Sequence, residues 1–425
     1  MNPVEAALFF FHRLTFSTHK SVNYIVRKAM RYSSFWIFII CIALVSQSKS
    51  SQADDGSYYP EDDRAMAFHL AVWSPNNWSY FTNSGGNWVA NSPTTYFGAG
   101  SGGIAVDSGG KFHMSFGTSV GDPIKTIHYY SDVTGVKTDI GVYQDGFNQQ
   151  RSAIAVSSNG TIGIVHSGQN YGISYDYKLP GTNWTSTPTT LLYGNSTYPM
   201  ENLAITRGLN NYMHITASRK DGLNSLPVNK AWPHISYFNG LAGGTFGSEL
   251  VLDKNGSGSI CTSTINGGVA VAANGLARIV YLCTISGQTN VVYGVGSYAG
   301  FTFVNLGAAN AYVRPAIAVD ASDRTQIVYA DTSNRLVYRS AASGGAFGAP
   351  ILIEAAGASA LRTPQMAADK SGKIHTFYVY APASGSARIS HCSTTAGTLS
   401  TTAPHEIIHS QLPSAVLLGQ GVGIY

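Results

Sequence analysis

Charge is scarce in this chain. Lys, Arg, Asp and Glu together make up 11% of its residues, and the formal net charge is only +4. So little charge excludes the Lys/Glu-rich profile of a helical protein. No run of Lys and Arg interleaves with aromatics, so no nucleic-acid partner is expected. Cysteine is nearly absent, with 4 in 425 residues, and no Cys/His spacing marks a zinc site; neither metal nor cofactor is expected. The apolar run 35–45 (FWIFIICIALV) falls well short of the roughly twenty residues of a membrane-spanning helix. What the chain has instead is 46 Gly and 25 Tyr among many Ser, Thr and Asn, the composition of a turn-rich, all-β fold.

Arg27, Lys28 and Arg31 precede the apolar run, and small polar residues follow it as far as Ala53. That is the layout of a secretory signal peptide. Residues 1–53 are therefore read as a signal peptide with an extended lead, translation starting at Met1 or Met30. Residues 54–66 are read as a linker and 67–425 as the folded domain. The expected location is secreted or periplasmic, with no stable membrane insertion after cleavage.

The folded part is built on a recurring phrase. Ile104-Ala105-Val106, Ile154-Ala155-Val156, Leu203-Ala204-Ile205, Val269-Ala270-Val271, Ile317-Ala318-Val319 and Met366-Ala367-Ala368 follow one another at intervals of 50, 49, 66, 48 and 49 residues. A fixed period of this length means a propeller, solenoid or array. Neighbouring strand residues point to opposite faces, so each copy shows bulky groups on one face and a lone methyl on the other. Such a strand suits a crowded place where the next sheet approaches closely, as the innermost strand of a propeller blade does.

Turns such as Asn159-Gly160 and Asn274-Gly275 then lead to a second strand. A third strand follows with an aromatic or His at Tyr129, Tyr175, Tyr237, Tyr293, Tyr338 and His391, and a Gly turn with an aromatic at Trp184 or Phe347 leads into a fourth. Four strands in about fifty residues make one blade. Residues 67–98 resemble a blade without its inner strand, which 414–418 could supply from the far end and so close the ring. The expected fold is thus a seven-bladed β-propeller of four-stranded antiparallel blades, with six blades as the alternative. Cys261 and Cys283 flank one hairpin and are a candidate disulfide, whereas Cys392 is left as a buried apolar filler. The longest repeat carries a polar insertion at 219–231, expected as an exposed loop.

Segments entering the inner strands should rim the central funnel. They supply Arg151, Tyr198 with Glu201, Tyr312 with Arg314, and Arg362. Converging guanidiniums would bind carboxylate or sulfate, and Tyr rings would stack on a sugar; these six residues are the expected ligand-binding set. His69, His113, His166, His214 and His375 recur in the second strand, which favours a repeated structural hydrogen bond over catalysis. Residues that break the repeat, namely Tyr198, Glu201, His128 and His234, are the acid/base candidates. No catalytic set is assigned.

The repeat resembles the BNR/sialidase-like superfamily of secreted propellers, which includes bacterial lectins and polysaccharide lyases. The turns 82–88 (TNSGGNW) and 340–347 (SAASGGAF) keep the glycine and aromatic of the sialidase Asp-box without its Asp, and Val313-Arg314-Pro315 is similar to the phrase that carries a carboxylate-binding arginine. The resemblance implies a carbohydrate-binding propeller whose partner is a glycan or polysaccharide, acidic glycans included. The alternatives are a lyase or hydrolase acting on uronate- or sialate-containing chains, and a protein–protein interaction scaffold.

Overall fold

The structure, a computed structural model, describes residues 68–74, 77–82, 89–91, 102–117, 126–132, 138–142, 151–167, 172–193, 200–219, 233–354, 358–369, 371–382, 387–395, 397–399, 405–412, 417–418 and 423–424. The expected signal peptide and linker, Tyr198 and nearly all of the 219–231 insertion lie outside those residues. Apart from one short 3-10 turn at Leu209–Asn211, the described secondary structure is β. Among the described residues no helix is long and apolar enough to cross a membrane.

Six antiparallel blades are contiguous in sequence. Their inner strands are Gly102–Val106, Ser152–Val156, Met200–Arg207, Ser263–Val271, Ala316–Val319 and Ala358–Ala368, here called the inner strands of blades one to six. Each inner strand packs beside the next. This is a β-propeller of six contiguous blades, the alternative count rather than the leading one. A further sheet is composite. Phe68–Ser74, Asn77–Thr82 and Val89–Asn91 pair in order, and Leu417–Leu418 and Gly423–Ile424 from the other end add to Phe68–Ser74. The expected pairing of the chain ends is therefore present, and the composite sheet touches both blade six and blade one.

The alanine phrase works as its alternation requires. Ala153 and Ala155 of blade two share a core with Leu203, Met213 and Ile215 of blade three. Ile154 and Val156, on the opposite face, pack with Ile127 and Tyr129 of blade one. Ala204 meets Val269 of the next blade in the same way, and Ala318 meets Met366. The bulky pair of each inner strand thus lies over the methyls of its predecessor, and a larger residue at the alanine would overpack the joint.

A second joint lies further out. In blades two to five an aromatic following the third strand packs edge-on against the third-strand Tyr of the preceding blade: Trp184 on Tyr129 at 5.0 Å, Phe246 on Tyr175 at 4.8 Å, Phe301 on Tyr237 at 5.0 Å and Phe347 on Tyr293 at 5.0 Å between centroids. Edge-to-face contact of this kind adds about 0.5–1.5 kcal/mol beyond the area buried.

The third-strand aromatics also terminate a polar relay within their own blades. In blade one, the Tyr129 hydroxyl donates to Nδ1 of His113 at 2.7 Å, and Nε2–H of His113 faces Asp107 at 3.3 Å in the hairpin turn. Blade six repeats this with His391, His375 and Asp369, both links being 3.0 Å. Blade five substitutes an amide: Tyr338 donates to Gln326 at 2.8 Å, and Gln326 donates to Asp320 at 3.0 Å. Each turn Asp uses its other oxygen on backbone N–H groups two and four residues on, as Asp369 does with Ser371 and Lys373. The structural hydrogen bond expected of the recurring histidines is made by His113, His214 and His375 but not by His69, whose two ring nitrogens are buried without a partner. His166 is different, because it sits later in its strand and pairs with Asp176 instead.

Candidate functional site

The six inner strands enclose a channel of about 400 Å³, lined by their alanine-centred segments with Gln365 at one end and Arg207 at the other. At one mouth the hairpin turns of neighbouring blades meet. Asn211 Oδ1 accepts from Ser158 Oγ and Asn159 N, and Asp323 Oδ1 accepts from Ala273 N. At the other mouth the segments entering the strands meet: Asn266 Nδ2 donates to the Asn202 carbonyl at 2.6 Å, and Arg314 Nε donates to the Asn266 carbonyl at 2.8 Å. This entry mouth is where the sequence places the candidate binding residues.

Arg314 is half-buried, held through Nε by the neighbouring blade. Two residues before it, Tyr312 is 93% exposed, and its N–H is fixed by Asn310 Oδ1 at 2.8 Å. An exposed aromatic ring therefore stands on a braced turn two residues before a clamped guanidinium. Arg151 immediately precedes the inner strand of blade two, its N–H donating to Ser167 Oγ at 2.9 Å. Glu201 pairs with Ser218 and Arg362 with Val379 in the sheet registers, but their side chains lie outside the described residues.

The two acid/base candidates whose side chains are described, His128 and His234, are poorly disposed for chemistry. His128 is 2% exposed and lies against Phe116 at 5.2 Å. His234 is fully buried, with Nε2 3.3 Å from Glu249 Oε1, an oxygen that also accepts from Ser236 Oγ at 2.6 Å. His166 lies between two acceptors, the Ser167 carbonyl at 2.8 Å and Asp176 at 2.7 Å, so both ring nitrogens are engaged. Among the described residues no group of three His, Cys, Asp or Glu could hold a metal ion.

Sequence reasoning missed several polar groups near this mouth. Arg219 ends the second strand of blade three, is 3% exposed, and has an Nε with no hydrogen-bond partner. Burial pulls its guanidinium below the ordinary value, and Glu249 opposes that shift. Arg388, paired with Tyr380 across the strands of blade six, lies 4.0 Å over the Tyr380 ring. Asn266 is fully buried and bridges blades. A buried polar residue inside an apolar strand was the available signal for Asn266. No periodicity marks Arg219 or Arg388.

The Cys261–Cys283 disulfide is formed and ties the segment before the inner strand of blade four to its second strand; Cys392 is free and buried. No protein-family model and no curated protein matches the chain. Solved structures do. A lectin from Burkholderia pseudomallei aligns with TM-score 0.53 and 11% identity, covering 81% of this chain and 96% of the lectin. The likeness is one of fold alone. An α-L-arabinofuranosidase from Fusarium graminearum aligns at TM-score 0.45 and 11% identity over 69% of this chain and 92% of that one. An α-L-arabinanase from Penicillium chrysogenum gives the same figures, TM-score 0.45, 11%, 69% and 92%.

Proposed function

We propose that this protein is an exported carbohydrate-binding propeller that takes glycans, acidic ones included, at its entry mouth. The observation that carries this is the pair Tyr312 and Arg314. A ring 93% exposed to water is held on a braced turn, two residues before an Arg whose Nε is already fixed. An exposed Tyr supplies an apolar face for a sugar ring and a hydroxyl for its edge, and Arg supplies paired donors for a carboxylate or sulfate. Arg151 and Arg362 are proposed to join them, with Tyr198 and Glu201 meeting sugar hydroxyls. A binding rather than catalytic role is supported by the burial of His128 and His234 and by the full engagement of His166. The fold likeness to a lectin agrees with it.

We further read the composite sheet as a seventh blade, supported by its contacts with blades one and six. The Gly-turn aromatics Trp184 and Phe347, edge-on to the preceding blade, support kinship with the BNR/sialidase-like propellers. The disulfide supports export to an oxidising compartment.

The test is a glycan array followed by titration of the best acidic and neutral ligands against Tyr312→Ala and Arg314→Ala. Losing a charge-assisted hydrogen bond should weaken acidic ligands about 10- to 100-fold in Arg314→Ala, with neutral ones less affected. Tyr312→Ala should weaken both. No glycan bound by the wild type, or binding indifferent to both substitutions, would remove this function.

A further inference from the structure

The inner strands of blades three, four and six each break register near the entry mouth: between Glu201 and Ala204, between Asn266 and Gly268, and between Arg362 and Gln365. Irregularities of this kind at a rim re-aim side chains. Inside the first, Asn202 is left-handed with φ 51°. The middle one sets Asn266 across three blades. Its Nδ2 donates to the Asn202 carbonyl at 2.6 Å, to Thr216 O at 3.2 Å and to Thr216 Oγ1 at 3.0 Å, all in blade three. Its own carbonyl accepts Arg314 Nε at 2.8 Å from blade five. The next residue is Gly267, where a Cβ would lie 2.6 Å from both Cγ and the carbonyl oxygen of Pro315, so Arg314-Pro315 can approach only because no side chain is there.

Asn266 is 0% exposed, yet its Oδ1 finds no hydrogen-bond partner. A desolvated, unpaired acceptor costs about 1–3 kcal/mol. In the register of blade two the matching position is the buried Ser152, and in blade five it is filled by Arg314-Pro315, so among these three blades the bridging amide is particular to blade four.

We propose that Asn266 is a positioning residue for the entry mouth. It fixes the left-handed backbone beside Glu201 on one side and, through its own strand, the Arg314 guanidinium on the other. It thereby sets the spacing between the blade-three backbone at Asn202 and the Arg314 cation that an anionic, hydroxyl-rich sugar meets. This rests on the glycan-binding function above.

The experiment combines calorimetric titration with a galacturonate hexamer and side-chain NMR of ¹⁵N-arginine-labelled protein, the Arg314 Nε–H resonance being assigned by its loss in Arg314→Lys. Asn266→Asp keeps the shape but turns the donor into an acceptor facing three acceptors. Asn266→Asp and Arg314→Ala are each expected to weaken the hexamer about tenfold, and the double variant no further, because both act on one contact. Arg314 Nε–H should exchange with solvent about tenfold faster in Asn266→Asp, since its hydrogen bond is loosened. Unchanged binding, or losses that simply add, would overturn the proposal. If even the wild type ignores the hexamer, the glycan function fails while the NMR arm still decides positioning: faster Nε–H exchange supports it and unchanged exchange refutes it. If Asn266→Asp does not fold, Thr216→Val removes one acceptor of Nδ2 with little change of shape, and the same outcomes are read at smaller size.

Discussion

Blade two lacks the polar relay, and the reason is a single glycine. Gly163 occupies the place that His113, His214, Arg278, Gln326 and His375 hold in the other blades. A Cβ at Gly163 would lie 2.3 Å from the Tyr175 hydroxyl oxygen and 2.8 and 2.9 Å from two ring carbons. Tyr175 cannot retreat. It is fully buried, its hydroxyl donates to the Ala242 carbonyl of blade three at 2.9 Å, and Phe246 stands against its ring at 4.8 Å. Overpacking costs about 1–3 kcal/mol, and pushing the hydroxyl off Ala242 costs about 1–3 more, so Gly163→Ala should destabilise by about 3 kcal/mol. Urea unfolding followed by tryptophan and tyrosine fluorescence measures this. Tyr175→Phe removes the atom nearest the intruding methyl. In the double variant the two effects should therefore fall short of their sum by about 1 kcal/mol or more. A Gly163→Ala protein within about 0.5 kcal/mol of wild type, or strict additivity in the double variant, would show that the joint yields and that the geometric account is mistaken.

Three other outcomes follow from buried polar groups and the disulfide. Burial holds His69 and His214 down at about 4, below their ordinary 6.5. The unfolded chain therefore takes up those protons first, so stability is complete above 6.5 and declines as pH falls towards 4. Urea midpoints measured across that window should fall, and His69→Gln should remove part of the slope; a flat profile in wild type would contradict this. Burial pushes the Asp369 carboxyl up, but hydrogen bonds from His375 and Ser371 outweigh it and bring the group to about 2. Its contribution is present above the ordinary carboxylate value of 3.8 and is lost as pH falls through about 2. Asp369→Asn should thus raise the acid-unfolding midpoint, and an unmoved midpoint counts against the relay. The Cys261–Cys283 bridge spans 22 residues, and opening it should cost about 3 kcal/mol on the loop-entropy account. Thermal melts with and without reductant, alongside a Cys261→Ala/Cys283→Ala variant, test this; equal melting would refute it.

The propeller was legible because its most crowded joint reuses one solution. A strand that must pass under the bulky pair of its neighbour tolerates only a methyl on that face, so Ala105, Ala155, Ala204, Ala270, Ala318 and Ala367 recur at nearly constant spacing. The third-strand aromatics were legible for the same reason, since each closes against the next blade. The relay was only half visible. Its middle member changes identity from His113 to Gln326 to Arg278, because an amide or a guanidinium can replace an imidazole as donor. Blade four shows how far this goes: Arg278 reaches across to the Asp323 carbonyl at 2.7 Å and its carboxylate at 3.3 Å in the next blade, and no acid in its own turn is needed. His166 was grouped with the repeat because a pattern of residue types cannot distinguish two positions in one short strand. The register does distinguish them, pairing His166 with Ser174 but His113 with Ser131.

Departure from the repeat is what separates binding residues from scaffold here. Between Gln365 at one end and Thr206 and Arg207 at the other, the channel wall is a largely apolar phrase repeated six times, which gives a ligand few means of orienting itself. Orientation has to come from positions where the blades differ, and these cluster at the entry mouth. Among the described residues, a bridging amide like Asn266 is seen in blade four, Tyr312 with Arg314 in blade five, and Arg388 on Tyr380 in blade six. At the opposite mouth, the Asp turns of blades one, five and six spend their carboxylates on their own backbone N–H groups. Carboxylates committed in this way hold hairpins together and have little left for a ligand. The unequal distribution of irregularity between the two mouths therefore favours the entry side for recognition, and substitutions at the exit-side turns should alter stability far more than binding.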